Sequence, residues 1–379
     1  MAEVVQPDSA QATAAALAYA AGEGQSVRIL GAGTKQGWGN VVPEPAVVLQ
    51  TGSLDRITEH NVGDLTATIQ AGVPLAVAQA RFATEGQMLA LDPPLGDDRT
   101  ATVGGVFATA DSGPLRHRYG APRDLIIGIT VALSDGTVAR AGGKVIKNVA
   151  GYDLAKLFTG SLGTLGAIVS VNVRLHPHPQ AFATAMGSSA DPAVIAAGAR
   201  ALAAAPLELE SLDVGWRGGR GRLLARTGGT QPEPRAQRAA GLMRAQGLEE
   251  VEITDDDEAI WARQRAGQRS GEATLLRLAT RPSALRDVLE AAHDCDATLV
   301  GRAALGTSYL ELDPEAVASM RERFTDAPGV VVLDGPAGLR RRNDPWGTPR
   351  GPALELMQRV KRRFDPAGAC NPGVFVGGL

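Results

Sequence analysis

The apolar positions change their spacing several times along the chain, and each change marks an element. The Ala-rich run Ala12–Ala21 predicts a helix, and the short apolar run Val27–Leu30 predicts a strand that runs into the glycine-rich "GAGTKQGWGN" (Gly31 to Asn40). "AVVLQT" predicts a second strand, Thr66–Gln70 a third, and Pro74 suits the first turn of a helix reaching Glu85. "MLALDPP" reads as a strand ending on a double proline, and "TATVGGVFATADSG" as a loop entering a short helix. "DLIIGITVALSDGTVARAG" predicts two strands joined at Asp135-Gly136, a strong hairpin signal, and "AIVSVNVRLHPHP" alternates as a strand ended by prolines. Strands and helices mix irregularly here, which predicts an α+β fold and not a regular βαβ ladder.

The character changes near Gln180. Strand Ala181–Met186, helix Val194–Ala205 and strand Glu208–Val214 are followed by strand Gly221–Thr227 and a helix around Ala236–Gln246. The pattern recurs in "TLLRLATRPSALRDVLEAAHDCDATLVGRAALGTSYLEL", which predicts an α/β domain with an antiparallel sheet covered by helices. "GLRRRNDPWGTPRG" reads as a mobile linker, and a last helix, Ala353–Phe364, leads into "DPAGACNPGVF". The expected division is therefore 1–180, 181–337, a linker at 338–352, and a C-terminal segment at 353–379.

Composition narrows the classes. With 379 residues and 44% hydrophobic side chains the chain can fill two or three cores. A net charge of -3 argues against a nucleic-acid binder as a whole. Aromatic residues are only 4% against 46 glycines, so Ala, Val and Leu must pack the cores between many tight turns. Cys295 and Cys370, the two cysteines, read as free thiols in a reducing compartment. The start lacks a basic region before an apolar one, and no run of 18 uninterrupted apolar residues occurs, so a cytoplasmic protein is expected.

The stretch "NVAGYDLAKLFTGSLGTLGAI" (Asn148 to Ile168) concentrates glycine in an apolar segment, which costs backbone entropy unless something approaches closely. The first glycine loop invites a dinucleotide-fold reading, but the third glycine position of that motif is Gln36 and no helix opens there. Neither it nor "GGKVIKN" (142–148) has the Gly-Lys-Ser/Thr of a phosphate loop. Two readings of Gly31–Asn40 stay open: a structural turn, or a nest of backbone amides holding a phosphate. The clusters "TVGGVFATADSG" and "GSLGTLG" set Thr102, Thr109, Ser112, Ser161 and Thr164 beside glycines. Backbone plus small hydroxyls is a way to surround a large planar, diphosphate-bearing cofactor.

The order "GAGTKQGWG … DPPLGDDRTATVGGVFATADSGPLRHRYGAPRDLIIGITVALSDGTVARAGGKVIKNVAGYDLAKLFTGSLGTLGAI" resembles the FAD-binding domain of the vanillyl-alcohol-oxidase/PCMH flavoprotein superfamily. Its version of the later glycines is similar to the FAD-binding E subunit of bacterial glycolate oxidase, and the resemblance resumes in "FDPAGACNPGVF". The resemblance implies a PCMH-type domain of two α+β subdomains over 1–180, a cap domain after it, and a C-terminal segment that returns to the FAD domain. It implies that Gly31, Ala32, Gly33, Thr34 and Lys35 wrap the FAD pyrophosphate, with Trp38, Gly39 and Asn40 beside it. Pro93, Pro94, Thr102, Gly104 and Gly105 would approach the flavin and ribityl chain, with Ala108, Asp111, Ser112, Gly113 and Tyr119 extending that lining. Gly160, Ser161, Gly163, Gly166 and Ile168 would meet the adenosine side and the diphosphate, the cofactor occupying the space a side chain at Gly163 would take.

The departures matter as much. Many superfamily members anchor FAD through a histidine or cysteine, whereas the first loop here carries Thr34 and Lys35, so noncovalent FAD is expected. The hydroxy-acid-oxidising relatives carry a His-x-His metal pair that residues 181–379 do not supply. His176 and His178 have i,i+2 spacing but no further ligand nearby, so no metal site is expected, and a solvated strand end is the plainer reading. Arg116 and His117 are the candidate catalytic pair; the alternative is that they and Arg118 are surface charge on a loop. The resemblance implies a subunit of a complex oxidising glycolate to glyoxylate, with the FAD-binding D subunit and an iron–sulfur subunit as partners, and membrane association only through that complex. With two cysteines, this chain cannot itself ligate a four-cysteine cluster. The alternatives are a self-sufficient FAD-dependent 2-hydroxy-acid dehydrogenase and a FAD-stabilised scaffold without redox turnover.

Overall fold

The computed structural model describes residues 2–144, 152–271, 273–325, 329–347 and 351–379. The start of the Asn148–Ile168 stretch and most of "GGKVIKN" lie outside the described residues. The chain forms two compact units: Met1–Ser112, Gly120–His178 and Thr348–Leu379 make the first, Gly113–Tyr119 and Pro179–Gly347 the second.

In the first unit, strands Glu3–Val5, Val47–Gln50 and Val27–Leu30 form a parallel sheet in that order. Cys370 adds an isolated parallel bridge to Val27, so the C-terminal segment extends the sheet at its Val27–Leu30 edge. Helix Ala10–Gly22 starts where the Ser9 hydroxyl accepts the Ala12 amide at 3.2 Å, an N-cap worth about 1 kcal/mol. Its Ala14, Leu17 and Ala20 bury against Val27, Leu49, Leu54, Ala132 and Val169. Leu17 is fully buried, and burial of such a side chain contributes about 1.5–3 kcal/mol. A second, antiparallel sheet runs Ile57–Asn61, Thr66–Gln70, Ala167–Arg174, Ile126–Ala132, Val138–Gly142. Its last hairpin turns at Asp135-Gly136, where Gly136 has φ +85° and the Asp135 carboxylate accepts the Thr137 amide at 2.9 Å.

"MLALDPP" departs from expectation. Only Gln87–Met88 forms a strand, paired with His176–Pro177. Leu89 to Leu91 are buried and bend at Ala90, the Leu91 amide donating to the Leu89 carbonyl at 2.6 Å, and Gln79 bonds the backbone of Leu89 and Leu91 in place of a neighbouring strand. The Gln79 amide donates to the carbonyls of Leu89 and Leu91 at 2.5 and 3.0 Å and accepts the Leu89 amide at 3.1 Å.

The second unit is an eight-stranded antiparallel sheet, in the order Glu249–Thr254, Ala181–Ser189, Arg220–Gly229, Ser211–Arg217, Thr298–Arg302, Thr307–Leu312, Thr274–Ala279, Gly329–Asp334. Alternate residues such as Leu212, Val214 and Trp216 pack with Ile195, Ala199, Leu202 and Leu289 of helices Pro192–Ala204 and Leu285–Asp294. The opposite positions carry buried polar groups. Arg226 makes a two-pronged pair with Asp257 at 2.9 and 2.7 Å and lies 3.8 Å from the Phe182 ring centroid. Arg302 is buried against Asp213 and Gln268. The stretch read as a mobile linker carries helix Ala337–Arg342, held by buried Leu339 and by Arg321, which donates to the Asp344 carbonyl at 2.6 Å. The first unit is α+β, and the second is an antiparallel sheet covered by helices, as the sequence pattern leads one to expect for each. Among the described residues no helix is long and apolar enough to cross a membrane.

Candidate functional site

Lys35 organises the first unit's glycine loops. Its ammonium lies 3.2 Å from the Asp111 carboxylate, with side-chain exposures of 5% and 3%, and donates to the Pro94 carbonyl at 3.3 Å. One buried cation therefore ties Gly31–Asn40 to Pro93–Pro94 and to the end of helix Val103–Thr109. A Cβ at Gly31 would sit 2.2 Å from the Thr102 hydroxyl, so the first loop needs glycine where it meets the second. Thr102 caps its helix by accepting the Gly105 amide at 3.2 Å, and Gly104 packs on the backbone of Ala71. The third loop hangs from the second: the Gly160 amide donates to Phe107 at 2.9 Å and the Leu162 amide to Ala108 at 2.8 Å.

These contacts bring together the residues the sequence singled out between Gly31 and Ser112 and between Gly160 and Ile168. Within the first loop the Gln36 and Trp38 amides close on the Gly33 and Lys35 carbonyls, whereas the amides of Ala32, Gly33 and Lys35 have no protein acceptor among the described residues. With Gly33 at φ +74°, this is a run of backbone donors of the kind that cradles a phosphate. The Ser161 hydroxyl is buried with no hydrogen-bond partner among the described residues. Free amides, a buried hydroxyl and a buried cation fit a diphosphate-bearing cofactor.

Several expectations change on contact with the structure. The space that a Gly163 side chain would take is filled by the protein itself, with the Asn371 amide nitrogen 2.8 Å from the position of a Cβ. At Gly166 the obstacle is the Ala132 carbonyl, at 2.7 Å. The side-chain amide of Asn40 is spent on the carbonyls of Gly373 and Phe375, both at 2.9 Å. Asn40 and Gly163 thus meet the C-terminal segment, a relation the sequence reading did not contain. Its only trace in sequence is the polar Asn371 inside "ACNPG".

Gly113, Arg116, His117 and Tyr119 belong to the second unit. Arg116–Tyr119 is one short helical turn, anchored where the Arg118 guanidinium pairs with buried Glu210 at 3.3 Å and donates to the Glu208 carbonyl at 2.7 Å. Burial first, and the Glu210 carboxylate second, push the Tyr119 hydroxyl upward, so it stays protonated. Burial, then the Arg118 charge, lowers the His117 pKa, and its Nδ1 is buried without a partner among the described residues. A neutral imidazole with an open nitrogen is the form a proton acceptor requires. His176 pairs in register with Met88, and the His178 amide donates to the Gly86 carbonyl at 2.8 Å. Among the described residues no group of three His, Cys, Asp or Glu side chains is placed to hold a metal.

Comparison with known proteins follows the same lines. Residues 1–142 match an FAD binding domain, and residues 341–375 match the C-terminal domain of FAD linked oxidases. Over 151 residues, 40% of this chain and 32% of the other, the chain is 40% identical to glycolate oxidase subunit GlcD of Bacillus subtilis. Over 126 residues, 33% of this chain and 35% of the other, it is 38% identical to glycolate oxidase subunit GlcE of Escherichia coli. The chain spans about a third of the length of these curated relatives. Solved alkyldihydroxyacetonephosphate synthase superposes with a TM-score of 0.72 over 97% of this chain and 76% of that one, at 14% identity, a likeness of fold. Two segments, 1–142 and 341–375, are thus similar to domains of FAD-linked oxidases, and the cofactor these matches support is FAD.

Proposed function

We propose that this chain is the FAD-carrying, E-type subunit of a glycolate-oxidising assembly, holding FAD noncovalently beside a D-type catalytic subunit and an iron–sulfur subunit. The observation that carries it is the loop cluster around Lys35, with free amides at Ala32, Gly33 and Lys35. In this reading those amides and Lys35 hold the pyrophosphate, and Thr102, Ser112 and Ser161 supply neutral polar contacts further along. Residues 31–40, 93–113 and 160–168 contain no histidine or cysteine, which supports noncovalent attachment. Cys370 is buried and its thiol is pushed up to about 12, so it is no nucleophile at neutral pH. The likeness to GlcE and GlcD supports the choice of assembly. FAD, when bound, supplies the two-electron acceptor, and in this reading the chain's part is to hold it while the partner binds glycolate.

A second reading, a self-sufficient 2-hydroxy-acid dehydrogenase, is favoured by one observation: the neutral, unpartnered Nδ1 of His117. There Arg116 would pair with the substrate carboxylate and His117 would take the hydroxyl proton. Acid denaturation of the purified protein should release all flavin into the supernatant as FAD; flavin that stays with the precipitate would rule out noncovalent attachment. Anaerobic glycolate or D-lactate should leave the flavin absorbance of the isolated chain nearly unchanged and bleach it once both partners are present. Rapid full reduction of the isolated chain would decide for the dehydrogenase. Failure to reduce the flavin in the complete complex would leave only the scaffold.

A further inference from the structure

We infer that Asn371 is a positioning residue for FAD, and that the segment Asn371–Phe375 is a clamp fixing both ends of the loop Gly31–Asn40. The inference rests on the reading that the glycine loops hold FAD, and goes beyond it by naming what shapes them.

The clamp is built from single hydrogen bonds. At the loop's entrance, the Asn371 amide nitrogen donates to the Val27 carbonyl at 2.9 Å, and its side-chain oxygen accepts the Ile29 amide at 2.7 Å. At the loop's exit, the Asn40 amide donates to the Val374 carbonyl at 2.9 Å, and its side chain donates to Gly373 and Phe375. The two anchors of Gly31–Asn40 are therefore the two ends of one five-residue stretch. Asn371 also reaches the third loop, its side-chain nitrogen donating to the Leu162 carbonyl at 2.5 Å. Asn371 and Leu162 both sit at positive φ, +41° and +52°. Asparagine tolerates that region better than most residues, and its amide offers both the acceptor Ile29 needs and the donor Leu162 needs.

Lys361 makes a second tie, donating to the Thr164 carbonyl at 2.6 Å and to the Cys370 carbonyl at 2.8 Å while pairing with Asp365 at 2.6 Å. The loop amides of Ala32, Gly33 and Lys35 can be pre-aimed only if their backbone is held at both ends. Donors fixed before binding avoid the ordering cost that loose ones incur.

Coupling between tail and cofactor must be reciprocal, because it is an equilibrium quantity. In the wild-type chain, adding FAD should therefore slow hydrogen exchange of the Asn371 and Val374 amides together with the loops at 31–40 and 160–166. Asn371→Ala should weaken FAD binding by about tenfold or more, the loss of two hydrogen bonds appearing in affinity. The rise in melting temperature at a fixed FAD concentration should shrink in step. A purely structural asparagine would lower the apo melting temperature and leave the FAD-induced rise unchanged, which overturns the inference. Should Asn371→Ala not fold, the exchange measurement on the wild type still decides. Protection at 31–40 and 160–166 without protection at 371–375 sinks the clamp alone. No protection at the glycine loops removes the FAD-site reading and the clamp with it.

Discussion

Replacing Lys35 by methionine keeps most of the side-chain volume and removes the charge that ties Gly31–Asn40 to Pro94 and Asp111. The Asp111 carboxylate is then left in the interior, its Oδ1 accepting only the Ser112 amide at 2.9 Å, and its Oδ2 losing the ammonium that stood 3.2 Å away. Removing one member of a buried pair typically costs about 3–5 kcal/mol, since the survivor keeps its desolvation penalty without compensation. A domain's total stability is only about 5–15 kcal/mol, so Lys35→Met should leave the first unit marginal. Saturating FAD returns part of this, about 2.7 kcal/mol at a hundredfold excess over Kd, provided the loops still bind it.

Because the chain has two units, a single melting curve would mix their transitions. Native-state hydrogen exchange in graded denaturant separates them, with the amides of Val27–Leu30 and Val103–Thr109 reporting the first unit and those of Ser211–Arg217 the second. The loss should fall on the first group alone. The double variant Lys35→Met/Asp111→Leu should recover a large share, because it removes the orphaned charge as well as its partner. A single variant within about 1 kcal/mol of wild type, or a double variant no better than the single, would refute the assignment of Lys35 and Asp111 as a coupled buried pair.

Gly163→Val should lose FAD and also destabilise the apo first unit, because φ +72° disfavours any side chain and Asn371 fills the space; a stable apo protein without FAD would return the glycine to the cofactor. At pH 8 a thiol reagent should modify half-buried Cys295 in the native protein and reach Cys370, with its thiol pushed up to about 12 by burial and then by Asp365, only after denaturation. Equal rates would contradict that burial. The raised Cys370 thiol also stabilises the fold below its ordinary value of 9.0, a contribution lost as pH rises toward about 12, and Cys370→Ala should flatten that alkaline slope. His117 runs the other way: its lowered pKa favours the folded state above 6.5 and loses that contribution as pH falls through the depressed value. Acidification from pH 7.5 to 5 should therefore weaken the second unit, and an unchanged slope in His117→Gln would exclude the imidazole as its source.

What could be read in the sequence depended on whether the physical cause was local. The run Ala12–Ala21 is helix Ala10–Gly22, because its apolar spacing and the serine ahead of it are neighbours in the chain. The Asp135-Gly136 turn was equally plain, since a positive φ and a side-chain acceptor are both written into two adjacent residues. The three glycine loops could be recognised for a related reason: close backbone approach forces glycine whatever does the approaching. That same property hid the identity of the neighbour. Glycine at 163 signals that something occupies the missing side chain's volume, and the residue alone does not tell a cofactor from Asn371. "MLALDPP" reads as a longer strand than it forms because the hydrogen-bond partners of Leu89 and Leu91 come from one glutamine, and a single side chain leaves no periodicity behind.

The contacts that shape the loops are of this second kind throughout. Ile29 and Asn371 are 342 residues apart, and each bond of the clamp involves one polar atom with no repeating pattern around it. A hydrophobic face must recur along an element to bury enough area, and so its period is visible. A positioning hydrogen bond acts once, and what it contributes is an angle. The chain therefore declares in its glycines where backbone must come close, while the residues that hold that backbone in place, Lys35, Asn40 and Asn371, resemble any other polar side chain until the fold has brought them together.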